Sequence, residues 1–225
     1  MSMRQMKVGL VLSLWSFFLA ELVITTTLRE FKFNNGLAVF PAIFPPNDFQ
    51  EVQRISREIC KNSLRKEKNS IAEGRFGCRI ESSNKLFKMF SNPNILSRIQ
   101  RATGRTDSNL IIPQDFPLEI RKYVIGSHMP FHRDEQLYEQ PQIEFVFTVE
   151  NTSDSYTCWI DSKNNTQKLS TEPNSLMCIQ ATTVNHSVTS IKKGERVIIK
   201  GVLVAQDEKK LNEKKFQEAL RTYSS

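Results

Sequence analysis

Only three histidines occur among the 225 residues, His128, His132 and His186, and one of them opens the tripeptide His132-Arg133-Asp134. On an extended strand, residues two apart share a face, so this imidazole and this carboxylate can reach one cation. His186 stands 52 residues after Asp134 in a β-rich stretch and would supply a third ligand from another strand. Two imidazoles and one carboxylate leave three positions of a six-coordinate ion open, a donor set suited to ferrous iron that must also bind reactants. Ten residues beyond His186, Arg196 opens the run RVIIKGVLV. Its planar fork suits a carboxylate held by two hydrogen bonds, and Lys200, on the same strand face, is the alternative cation. His128 lies four before His132, but Pro130 between them forbids the helical face of a zinc-protease motif, so His128 reads as pocket rim or surface. Glu135 would meet a basic substrate group or solvent, and Trp159 and Phe145 read as core.

The elements that must position these groups follow from periodicity. Pro45-Pro46-Asn47, then Phe49, Val52, Ile55 and Ile59, predict an amphipathic helix ending near Cys60. Residues 61–77 are charged, carry Gly74 and Gly77 and lack a sustained apolar period, which predicts an exposed loop. Asn92-Pro93 offers an N-cap with proline at the first helical position, Ile95, Leu96 and Ile99 an apolar face, and Gly104 a stop. After Pro113 the pattern turns to short β-rich runs at 118–125, 143–150, 155–160, 175–180, 187–191 and 196–205, as in a sandwich or jelly-roll barrel. Residues 207–225 read as a charged terminal helix.

Composition bounds the classes. With 39% hydrophobic and 24% charged residues, 8 Gly, 9 Pro and 4 Cys, the chain is neither low-complexity nor a disulfide-knotted mini-protein. A mean hydropathy of -0.39 excludes a polytopic membrane protein. A domain of this size buries enough surface to fold without a metal, so a metal here serves chemistry. The net charge of +7 is concentrated between residues 54 and 105, which hold 13 basic against 4 acidic side chains. That segment lacks the Arg/Gly or aromatic interleaving of nucleic-acid binders, so a solvated helical surface is the favoured reading.

Val8 to Leu28 is an apolar run broken only by Glu21 and preceded by Arg4 and Lys7. It reads as a signal anchor or signal peptide over residues 1–28, with the anchor favoured because Phe18 spoils a small-x-small cleavage site. This implies a membrane attachment through the N-terminal segment and a lumenal domain in the endoplasmic reticulum or Golgi, secreted if residues 1–28 are cleaved. There Cys60, Cys78, Cys158 and Cys178 would pair in one of three ways or remain buried thiols.

Tyr123-x-x-Gly126-x5-His132-x-Asp134, followed by His186 and Gly194-Glu195-Arg196, resembles the 2-oxoglutarate- and Fe(II)-dependent dioxygenases, in particular the prolyl 4-hydroxylase-like group. The resemblance covers residues 118–204. It implies a double-stranded β-helix with His132, Asp134 and His186 as iron ligands, Arg196 on the distal carboxylate of 2-oxoglutarate and Tyr123 as a second donor to it. It also implies O2 as cosubstrate, succinate and CO2 as products, a hydroxylated substrate and ascorbate as reductant. Prolyl 4-hydroxylases usually carry Lys at the place of Arg196, which separates a prolyl substrate from the cosubstrate role. The nucleic-acid demethylase branch carries a second Arg where Val202 stands, which argues against nucleic acid.

The expected architecture is therefore mainly β with flanking helices (α+β). A basic, mostly helical segment at 36–115 supports a jelly-roll, cupin-like double-stranded β-helix core at 116–206, and a charged helix follows at 207–225. The substrate would be a peptide, a protein side chain or a small molecule. Two alternatives stand beside this reading: a non-catalytic jelly-roll binding module, and a cupin-like metalloenzyme that does not use 2-oxoglutarate.

Overall fold

The computed structural model describes residues 36–67, 71–105, 109–116 and 118–222. The apolar run at 8–28 lies outside them. Among the described residues no helix is long and apolar enough to cross a membrane, and all four cysteines are free thiols.

Among the described residues eleven strands form two antiparallel layers. They are β1 (Leu37–Phe40), β2 (Arg65–Lys66), β3 (Glu73–Ile80), β4 (Leu110–Ile111), β5 (Leu118–His132), β6 (Ile143–Asn151), β7 (Thr157–Ile160), β8 (Thr166–Leu169), β9 (Leu176–Gln180), β10 (His186–Val188) and β11 (Arg196–Ala205). The main layer runs β2-β3-β5-β11-β6-β9-β1, with β4 paired to the end of β11, and the second runs β5-β10-β7-β8. β5 belongs to both. Its first half pairs with β3 and β11, and its last residues pair with β10, His132 opposite His186. Gly126, at φ +88, lies between the two halves in a conformation that side chains other than glycine rarely adopt. This is a double-stranded β-helix of the jelly-roll type.

Among the described residues four helices complete the fold: α1 (Pro46–Asn62), α2 (Lys85–Phe90), α3 (Pro93–Thr103) and α4 (Glu213–Thr222). α3 starts and stops as its sequence dictates. Asn92 accepts from the Asn94 N–H at 2.9 Å, and Gly104 terminates it at φ +72. α1, α2 and α3 cover one face of the main layer, where Phe44, Phe90, Phe145 and Phe147 form an aromatic centre with ring centroids 5.1–5.6 Å apart. Strand alternation sends Glu119, Arg121, Tyr123, Glu144, Arg196 and Lys200 to the opposite face, toward the second layer. α4 docks separately, through Phe216 against Phe116 and Tyr138.

Residues 61–77 depart from expectation. In place of an exposed loop, β2 and β3 form a hairpin that extends the main layer, with Phe76 opposite Lys122 and Gly77 opposite Arg121. The strand hides in the sequence because only one of its two buried positions, Ile80, is apolar, and the other is Arg75. β8 and α2 were likewise not evident, the first because a sheet-edge strand can be wholly polar. Segment 36–115 accordingly contributes strands as well as helices to the core.

Candidate metal and anion site

His132 is the last residue of β5, and Asp134 follows it outside any strand. The expectation that both sit on one strand is thus corrected. β10 is only three residues long, its ladder with β5 ends at the His186–His132 pair, and the chain beyond has no partner strand to keep it extended. Asp134 is held instead by the Thr182 N–H, which donates to its carbonyl at 3.0 Å. The three side chains nevertheless converge. His132 Nε2 lies 3.7 Å from Asp134 Oδ1, His186 Nε2 lies 3.6 Å from Asp134 Oδ2, and one ligand atom from each residue falls within 4.8 Å of the others.

Both rings are oriented from behind. His132 Nδ1 is 2.9 Å from the Pro130 carbonyl and His186 Nδ1 is 3.1 Å from the Val184 carbonyl. A carbonyl only accepts, so each Nδ1 carries the hydrogen and each Nε2 presents its lone pair to the centre of the group. Burial lowers the proton affinity of His186, which favours the neutral ligand form. Burial opposes ionisation of Asp134 too, but Lys200 and the two imidazoles outweigh it and hold this carboxyl well below the usual range. For His132 burial is outweighed by Asp134 and the Pro130 carbonyl, and its proton affinity rises.

Arg196 lies in the same narrow cavity, between the two sheets, with Tyr123, Met129, Thr157 and Val188. It is 2% exposed. One Nη donates to Thr157 Oγ1 at 3.0 Å, and Nε is buried without a hydrogen-bond partner. Burial lowers its proton affinity, yet a guanidinium stays charged. Among the described residues no carboxylate pairs with it. A buried cation in that condition is costly unless an anion meets it. Lys200, the alternative cation, is already committed: it is 3.7 Å from Asp134 Oδ1 and in closer contact with Glu144. The structure therefore separates two residues that the sequence could rank only by position.

Tyr123 is opposite Arg196 across the β5–β11 ladder and accepts a hydrogen bond from Arg75 Nη1 at 3.0 Å. Burial would raise its phenol's proton affinity, but Arg75, Arg121 and Arg196 together lower it. A wider recess of about 280 Å³ opens on the other side of His132 and Asp134. Its walls include Arg121, Phe116, Leu137 and Ala219 of α4, and Glu135 at its rim pairs with Lys215 at 3.2 Å. His128 lines neither space and its ring contacts the Gly126 carbonyl at 3.3 Å. Phe145 is buried in the helix-side core, and half-buried Trp159 sits opposite His186 in β7.

Sequence reasoning missed an entire tier of buried charge. Glu67 holds Arg75 at 2.6 Å, and Glu119 pairs with Arg121 beside it. Period-two charges at 119 and 121 on a strand whose intervening residues are apolar were the available signal, since both strand faces of a jelly roll are covered.

No protein-family model matches the chain, and no curated protein is similar to it in sequence. Its fold is shared with solved structures. A Pseudomonas putida prolyl-4-hydroxylase superposes with TM-score 0.62 at 11% identity, over 76% of this chain and 94% of that one. A Trichoplax adhaerens prolyl hydroxylase, solved with a hypoxia inducible factor peptide fragment, gives 0.62 at 11% identity over 89% and 95%. HygX from Streptomyces hygroscopicus, solved with nickel and 2-oxoglutarate bound, gives 0.58 at 10% identity over 84% and 87%. At such identities the likeness defines the fold, the double-stranded β-helix used by these oxygenases.

Proposed function

We propose that the protein is a 2-oxoglutarate- and Fe(II)-dependent dioxygenase that hydroxylates a peptide side chain or a small molecule. The observation that carries this reading is the pairing of two features in one cavity: the convergent His132, Asp134 and His186 set, and the buried Arg196, which no carboxylate among the described residues meets. The donor set fits a divalent ion with open positions, and Arg196 fits the distal carboxylate of a dicarboxylic acid. His132, Asp134 and His186 would hold the iron, and Arg196 and Tyr123 the cosubstrate.

Bound there, ferrous iron and 2-oxoglutarate supply the oxidising chemistry, with O2 consumed and succinate and CO2 released. The protein's own residues orient and exclude. Pro130 and Val184 carbonyls fix the imidazoles, Lys200 neutralises the outer side of Asp134, and Met129, Val146, Ile179 and Ile198 exclude water from the inner cavity. The recess beyond Asp134 is the place for the group to be hydroxylated. Likeness to the two prolyl hydroxylases favours a peptide among the possible substrates. A requirement for ascorbate, and a membrane-tethered location in the secretory lumen, belong to the same proposal, the second on the apolar run at 8–28.

Anaerobic titration of the full chain with Fe(II), with and without 2-oxoglutarate, tests the reading through the visible band of the iron-chelated keto acid. A band that needs both components and disappears in His186→Ala is the expected result. Metal binding that ignores 2-oxoglutarate would move the protein to the cupin-like metalloenzymes, and no binding to the non-catalytic modules.

A further inference from the structure

We infer that Arg75 is a positioning residue for the cosubstrate: by donating to the Tyr123 phenol, it directs that phenol's own hydrogen to the carboxylate that Arg196 holds. This rests on the oxygenase reading above. Arg75 lies on β3, outside the segment that carries the sequence resemblance. The ladders place Arg75 opposite Tyr123, and Tyr123 opposite Arg196, so the three stand in one row across neighbouring strands. None is more than 2% exposed.

The direction of the hydrogen bond follows from chemistry. A guanidinium has five donors and no acceptor, so in the 3.0 Å contact between Arg75 Nη1 and Tyr123 Oη the phenol oxygen accepts. The phenol's hydrogen must then serve another partner. Arg196, next in the row, also offers donors only. An anion lodged beside Arg196 is the acceptor that satisfies both, and a carboxylate has two oxygens to do so.

Arg75 is itself fixed. Its Nε donates to Glu67 Oε2 at 2.8 Å, its second Nη approaches the same oxygen at 2.6 Å, and the Glu67 N–H donates to the Arg75 carbonyl at 2.9 Å. Gly77 leaves room for this, since a Cβ there would run into the Glu67 carboxylate. A buried Arg–Glu pair contributes little to stability beyond what apolar packing of the same volume gives. What an apolar residue could not do at position 75 is occupy the phenol's lone pair.

A double-mutant cycle of Arg75→Met and Tyr123→Phe tests the inference in the full chain. The measurement is the anaerobic 2-oxoglutarate titration of Fe(II)-loaded protein, with thermal melts in parallel. Each single change is expected to weaken 2-oxoglutarate about tenfold with iron affinity unchanged, and the double change to weaken it no further than either alone. Arg75→Lys, which keeps a donor for the phenol, is expected to restore most of the affinity. Additive losses, or a wild-type affinity in Arg75→Met, would overturn the inference. Should Arg75→Met fail to fold, Glu67→Gln loosens Arg75 at nearly constant shape. Its expected smaller loss vanishes in the Tyr123→Phe background, and a loss that persists there overturns the inference equally. An unaltered chain that gives no band dependent on both iron and 2-oxoglutarate overturns the oxygenase reading, a result distinct from any obtained with the variants.

Discussion

The same strands show opposite characters on their two faces. Toward the helices, β5, β6, β9 and β11 present Leu118, Ile120, Phe145, Phe147, Leu176, Ile199 and Leu203, a surface whose contribution grows with area and needs no partner of a particular kind. Toward the second sheet they present Glu119, Arg121, Tyr123, Glu144, Arg196 and Lys200, where a charge needs partners of opposite sign in particular places. Glu67 answers Arg75, Glu119 answers Arg121, and Glu144 with Asp134 answers Lys200. Only Arg196, among these described cations, lacks such an answer. One face is therefore built for stability, and the other holds charge in fixed places at little net gain, leaving a single cation for a ligand.

Changes on the two faces should therefore separate stability from ligand binding. Asp134→Ala has the largest effect: iron binding is lost in a titration, while the melting temperature falls little because Lys200 keeps Glu144. Unfolding of this variant would mean that the three-residue group is structural. Phe147→Ala is the converse. It removes a ring at the aromatic centre and should cost about 3–5 kcal/mol in denaturant unfolding, yet the folded fraction should bind iron normally. An iron defect in Phe147→Ala would show that the faces are not independent.

Arg196→Ala sharpens the comparison within the charged face. Loss of the unanswered cation should weaken 2-oxoglutarate by about ten- to a hundredfold, since a hydrogen bond to a charged group contributes about 1.5–3 kcal/mol. Iron affinity stays unchanged. An equal loss from Lys200→Ala without loss of iron would reassign the carboxylate to Lys200.

The two faces were also unequally legible. Apolar alternation located β5, β6, β9 and β11, because a face buried against helices writes itself as period two. His132, Asp134, His186 and Arg196 were legible for a different reason: few residue types hold a metal, the chain has three histidines, and their spacing is uncommon. The paired charges were not. Arg75, Glu67, Arg121 and Glu119 look like solvated residues until the strand register brings them together, and β3 reads as a loop because one of its two buried positions is an arginine. The strand period puts Lys200 on its observed face, but nothing in the sequence names Glu144, 56 residues earlier, as its partner. The displacement of Asp134 from the strand depends on how short β10 is, a tertiary fact that no local pattern contains.

The smallest effect belongs to charges that no sheet covers. Glu51 on α1 is bound by Arg54 at 2.7 Å and by Lys85 at 2.9 Å, and these partners, Arg54 foremost, hold its carboxyl down at about 2. A carboxyl whose proton affinity is lower in the folded chain stabilises above its unfolded value of about 4.5, and this contribution fades as pH falls toward 2. The group is partly open to solvent at the surface, so salt and side-chain entropy erode most of what the pairing offers. Glu51→Gln should therefore leave the melting temperature at neutral pH nearly unchanged and flatten only the acid limb of stability between about pH 4.5 and 2, an effect that shrinks further in high salt. A loss at neutral pH as large as that of Phe147→Ala would mean that position, not burial, decides what an ion pair is worth in this fold, and the contrast between the two faces of the main sheet would lose its physical basis.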